Sequence, residues 1–215
     1  MQSSSVTHSS SFHPIFKTTI SLPATSDLSN CSLHLHYALP PIVFIDPYEL
    51  SARADAYSFQ YAPSGPFGGN LELPLAALDI DADAENASLL LSVAQGVSEV
   101  EVPLHVRYGA TTHDGGEPYQ LTQLTWPDAF LACPASTSSP TDALPSMRFT
   151  ENFDGATIVR LKPPLDALTV ETLHTPVGNV ADLGRVELGT AVVILAAFLY
   201  LVRAAQRTAV KLSRT

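Results

Sequence analysis

Residues 99–108 read Glu99-Val100-Glu101-Val102-Pro103-Leu104-His105-Val106-Arg107-Tyr108, and this stretch decides the fold class. Val100, Val102, Leu104, Val106 and Tyr108 occupy alternate positions, with Glu99, Glu101, Pro103, His105 and Arg107 between them. A period of two is the signature of a half-buried strand. Pro103 lacks an N–H, so the strand needs a sheet edge or a bulge there. Working outward, the same alternation recurs at Leu33, Leu35, Tyr37 and Leu39, again at Tyr57, Phe59 and Tyr61, and at Leu71, Leu73 and Leu75. Pro74 demotes that last segment to an edge strand. Ile15–Leu22, Ile42–Ile45, Ala87–Val93, Thr157–Leu161 and Leu168–Leu173 are apolar runs of strand length, separated by Pro- and Gly-containing turns. Short strands at this spacing predict a mainly β fold, a β-sandwich or barrel-like domain.

One segment breaks the pattern. Leu188 to Val202 is uncharged and almost wholly apolar, and Arg203, Arg207, Lys211 and Arg214 follow it. Lipid cannot hydrogen-bond a bare peptide group, so such a run in a bilayer is a helix. It is a few residues short of the roughly 20 expected of a span, and Arg185 and Arg203 can snorkel to make up the difference. Basic flanks favour the cytosolic side. The expected organisation is a disordered polar N-terminus over 1–14, a luminal β domain over 15–182, a transmembrane helix with its flanks over 183–204, and a cytosolic basic tail over 205–215. Met1 to Ser11 is Ser-rich and offers no apolar run after a basic start. Either the C-terminal helix directs insertion, or the natural start lies upstream.

The 215 residues carry a net charge of −10. Without the four tail cations, 7 basic residues stand against 21 acidic ones, a balance of −14. A nucleic-acid partner needs Lys and Arg to neutralise phosphate, and this balance argues against one. The two cysteines, Cys31 and Cys133, are available for one disulfide in an oxidising lumen, and their spacing alone equally allows two buried thiols.

Catalytic patterns are sparse. No Gly-rich phosphate loop, nucleophile elbow, CxxC or HExxH is present. His34 and His36 share a strand face about 7 Å apart, and His105 would complete a three-imidazole zinc site if the strands paired. Polar strand-face histidines are the simpler reading. Asp46, Glu49 and Asp55, and then Asp79, Asp81, Asp83 and Glu85, suit acid–base or Ca²⁺ chemistry, but a solvated acidic loop accounts for them. These patterns support no catalytic residue, cofactor or metal. Asn86-Ala87-Ser88 and Asn30-Cys31-Ser32 are glycosylation sequons, and Asn86 lies in an expected exposed turn.

Four stretches, in order, resemble the PIG-X family. They are His36–Pro41 running into Val43–Leu50, then Val102–Tyr108, Pro127–Cys133 with its Cys near an aromatic, and Thr175–Asn179 just before the helix. The resemblance implies a non-catalytic, endoplasmic-reticulum membrane subunit of glycosylphosphatidylinositol (GPI) mannosyltransferase I. Its partner would be the multi-spanning catalytic subunit PIG-M, which moves the first mannose from dolichol-phosphate-mannose onto glucosaminyl-phosphatidylinositol.

Under that resemblance Asp46-Pro47-Tyr48 and His105–Tyr108 are either structural, with Arg107 paired to Asp46 or Glu49, or part of the surface that meets PIG-M. His105, Arg107, Pro176, Val177, Gly178 and Asn179 are the partner-contact candidates. Alternative readings are a general luminal folding factor and a metal-dependent luminal hydrolase using His34, His36 and His105.

Overall fold

A computed structural model describes residues 1–22, 30–65, 73, 85–113, 116–135 and 141–213. The expected edge strand over 71–75 and the acidic turn from Asp79 lie outside these residues, Leu73 and Glu85 aside. The protein is mainly β, with one C-terminal apolar helix. Its strands are β1 (Gln2–Thr7), β2 (Ile15–Ile20), β3 (Ser32–Leu39), β4 (Val43–Phe44), β5 (Tyr57–Ala62), β6 (Ala87–Val93), β7 (Glu99–Pro103), β8 (His105–Val106), β9 (Tyr119–Thr125), β10 (Asp128–Cys133), β11 (Thr157–Leu161) and β12 (Val170–Pro176). Helix α1 spans Pro47–Ser51 and helix α2 spans Leu183–Leu212.

The described strands pair antiparallel in a three-stranded sheet β1-β2-β7, a five-stranded sheet β11-β10-β3-β6-β5, and the two-stranded pairs β12-β9 and β4-β8. In the three-stranded sheet β7 is an edge strand, the position that Pro103 tolerates. The inner faces of the two larger sheets share one core. Leu33, Leu35, Tyr37 and Leu39 of β3 and Leu89 and Leu91 of β6 meet Phe16 and Ile20 of β2 and Val100 and Val102 of β7. Phe16 meets Tyr37 edge-on at 5.5 Å. The buried Tyr37 hydroxyl bonds Thr18 Oγ1 at 3.2 Å, and Thr18 bonds Ser4 Oγ at 3.0 Å. Two antiparallel sheets packed face to face over such a core make a β-sandwich.

Residues 2–7, expected to be disordered, instead form β1, in register with β2 from Gln2↔Ile20 to Thr7↔Ile15. A run of serines has little apolar surface to announce a strand. Its buried side chains are held by hydrogen bonds instead: Gln2 Nε2 donates to the Pro127 carbonyl at 2.7 Å, and Ser4 joins the Thr18 chain.

The five-stranded sheet is covered on its second face too. Leu90, Phe130, Phe153 and Ile158 are buried there, packed by Leu144, Met147 and Phe149 from the segment after β10. The 3-10 turn Thr150–Phe153 sets Phe153 against Phe130 at 5.1 Å. Consequently β3 is buried on both faces, and His34 and His36 lie inside rather than on a solvated surface.

The chain divides into two compact units. Met1–Ala110 and Tyr119–Val177 form the sandwich; Thr111–Pro118 and Gly178–Thr215 form the second unit. In the second, α2 runs unbroken through the basic residues to Leu212, so residues 205–212 are helical. The helix is long and apolar enough to cross a membrane, and none of its most apolar 18 residues is buried.

Candidate functional site

The family-like stretch around Asp46 builds a small scaffold. The Asp46 carboxylate accepts the Tyr48 N–H at 2.8 Å and so caps α1, whose first residue is Pro47. Both features favour a helix start, because Asp satisfies an orphan N–H and Pro has none to satisfy. Leu50 is fully buried and anchors the turn in the core. Tyr48 is left 86% exposed.

Opposite this turn, β4 pairs with β8 so that Phe44 faces His105. The His105 ring stacks on Phe44 at 5.3 Å. Its Nε2 lies 2.8 Å from Glu49 Oε2, and its Nδ1 lies 3.0 Å from Nδ1 of His13. In a neutral His105, Nε2–H donates to the carboxylate and Nδ1 accepts from His13. In the charged form both nitrogens donate. Glu49 therefore serves His105, and Asp46 serves α1, instead of the expected pairing with Arg107. Tyr108, expected on the buried side, is 68% exposed and packs on Phe12 at 4.8 Å. His13, Tyr48, Glu49 and Tyr108 are thus exposed polar and aromatic side chains, and His13 and Glu49 flank a partly buried His105. Tyrosines with an apolar ring and a wet hydroxyl are favoured at protein interfaces.

Arg107 is not part of this surface. It is 3% exposed, its Nη1 donates to the Leu73 carbonyl at 2.7 Å, and its guanidinium lies over Phe44 at 4.4 Å. Burial lowers its pKa, and the nearby Tyr61 opposes that shift. Arg107 therefore lies in the interior and supports β4 and β8.

Thr175–Asn179 divides between the two units. In the sandwich, β12 ends with Pro176 opposite Tyr119 of β9, and Thr175 is fully buried. In the second unit, the Asn179 side chain accepts the Ala181 N–H at 2.9 Å and caps a short 3-10 turn leading into α2. Thr112 donates its N–H to the Gly178 carbonyl and accepts from the Val180 N–H, both at 2.9 Å. Gly178 and Asn179 are thus held by a loop some 65 residues earlier in the chain, a pairing no local pattern announces.

The three histidines weighed as zinc ligands are not brought together. His34 Nε2 meets Ser32 Oγ at 2.8 Å, its Nδ1 meets Ser92 Oγ at 3.1 Å, and its ring stacks on Phe130. His36 Nε2 meets Ser88 Oγ at 2.8 Å. His105 instead belongs to the Glu49–His13 chain in a different strand pair. Burial lowers the pKa of both His34 and His36; the Leu91 backbone partly opposes this for His34, and Asp128 for His36.

Cys31 and Cys133 form a disulfide with Cα atoms 4.2 Å apart. Asn30 and Asn86 are both exposed. Ser88 of the second sequon is buried against His36.

Sequence reasoning missed His13, which sits in the stretch read as disordered, and the bonding of Thr112 to Gly178 and Val180. Phe12-His13-Pro14, an aromatic interruption of a serine tract, was the one signal for the former.

A family model described as PIG-X / PBN1 matches residues 9–205. No curated protein matches the chain.

Proposed function

Because the chain belongs to the PIG-X / PBN1 family, whose role is that of an accessory subunit in GPI-anchor mannosylation, we propose that it binds and stabilises a PIG-M-like multi-spanning mannosyltransferase. That enzyme transfers the first mannose from dolichol-phosphate-mannose to glucosaminyl-phosphatidylinositol. In this reading the sandwich is luminal, α2 crosses the endoplasmic-reticulum membrane, and the basic residues after Val202 are cytosolic. Asn86 and Asn30 are then accessible to glycosylation.

The observation that carries the reading is the extent of the family match, which takes in both the sandwich and the apolar helix. The exposed set His13, Tyr48, Glu49 and Tyr108, together with His105, is the proposed contact on the sandwich. Pro176 and Val177 in one unit, and Gly178 and Asn179 in the other, are the proposed contact next to the helix in sequence.

The test is affinity capture of the tagged full-length chain from mild-detergent membranes. A stoichiometric multi-spanning mannosyltransferase is the expected partner. Recovery of the chain alone from intact complexes overturns the proposal. Recovery of many unrelated membrane proteins instead makes it a general folding factor.

A further inference from the structure

The charges that flank α2 are lopsided. Before the apolar run stand Asp182, Arg185 and Glu187, and Arg185 Nη1 donates to Asp182 Oδ1 at 3.3 Å. After it stand Arg203, Arg207 and Lys211, and no Asp or Glu occurs anywhere beyond Glu187. A step of four residues advances an α-helix by little more than one turn, so these three side chains lie along one face. Gln206 and Val210 complete that face. All three cations are exposed, and among the described residues none has a carboxylate partner.

Like charges at this spacing repel and weaken an isolated helix, yet α2 continues through them to Leu212. From Arg203 to Lys211 the helix rises about 12 Å, enough to pass from the edge of the hydrocarbon through the headgroup layer. We propose that Arg203, Arg207 and Lys211 bind the headgroups of anionic phospholipids in the leaflet at that end of the helix. Arginine matches phosphate oxygens in a bidentate fork, and lysine adds a mobile point charge. The continuity of the stripe with the apolar run favours lipid over an acidic protein segment, because the same helix that enters the hydrocarbon delivers the cations at headgroup depth. This inference does not depend on the identity of the partner enzyme.

The experiment uses the purified full-length chain in mixed micelles of equimolar phosphatidylcholine and phosphatidylserine, with retained lipid quantified by mass spectrometry. Phosphatidylserine is expected to be enriched over its bulk ratio. The triple variant R203Q/R207Q/K211Q should lower that enrichment at least about tenfold, since each basic side chain at a charged surface is worth roughly a fivefold preference. Arg185→Gln, at the other end, should leave it unchanged, and R203K/R207K should retain most of it. A bulk lipid ratio on the unaltered chain overturns the proposal and leaves the stripe to an acidic protein partner. Enrichment that survives in the triple variant overturns it as well.

Discussion

The guanidinium of Arg107 lies 4.4 Å from the centre of the Phe44 ring, and the ring of His105 stacks on the same phenyl group. Two residues of one family-like stretch therefore share an aromatic platform but have different surroundings. Arg107 is sunk in the domain with its Nη1 on the Leu73 carbonyl, while His105 reaches the surface. The platform itself is fixed by the β4–β8 register.

Arg107→Ala should destabilise the sandwich by about 2–4 kcal/mol, because it removes a buried side chain with its cation–π contact and takes a donor from the part-buried Leu73 carbonyl. Arg107→Lys should fall between, since an ammonium lacks the planar stacking face. Thermal unfolding of the full-length protein checks both. An unchanged midpoint for the alanine variant would show that the guanidinium does not support the fold.

His105→Ala and Glu49→Ala are expected to behave differently. The pair is partly exposed, with side-chain exposures of 22% and 45%, so its loss should change stability by less than about 1 kcal/mol. Partner recovery in the capture experiment should nonetheless drop. Full recovery with either variant, at normal expression, would remove this surface from the proposed interface.

The Cys31–Cys133 bridge closes a sequence separation of 102 residues. Replacing both cysteines by serine should lower stability by about 2–5 kcal/mol, chiefly by freeing the unfolded chain. Denaturant titration of oxidised and double-serine proteins measures this. Coincident midpoints would assign the bridge no stabilising role.

Acid should loosen the face of the five-stranded sheet that carries His34 and His36. Both folded-state pKa values lie below the ordinary histidine value of 6.5, because burial disfavours the cation. The unfolded chain therefore binds protons that the folded one refuses. Their contribution is fully present above about pH 6.5 and is lost as pH falls through the depressed folded values. His34→Gln combined with His36→Gln should flatten the stability–pH curve below pH 6.5. A curve as steep as that of the unaltered protein would show that other groups govern the acid limb.

Much of the architecture was legible along the chain. Alternation at Leu33–Leu39, Tyr57–Tyr61 and Val100–Val106 located β3, β5, β7 and β8, because a pleated strand puts every second side chain on one face. The uncharged run from Leu188 located α2 for an equally local reason. β1 was hidden, because Gln2 and Ser4 are buried through hydrogen bonds rather than through apolar area. The candidate surface was half legible. Asp46–Leu50 and His105–Tyr108 stood out as stretches, but which of their side chains face outward did not.

By itself the sequence determined the mainly β class, the apolar helix with its basic flank, and the family to which the chain belongs. All three rest on periodicity, composition or residues close together in the chain. Tertiary structure alone decided that a second layer covers the outer face of β3 and buries His34 and His36. It also decided that Glu49 meets His105 while Arg107 turns inward to Phe44 and Leu73, and that Cys31 and Cys133 meet one step beyond the Ser32–Ala132 pair of β3 and β10. The physical reason is common to them. Each depends on which strands become neighbours and in what register, and a pairing between residues 50 or 100 positions apart is set by the packing of the whole domain.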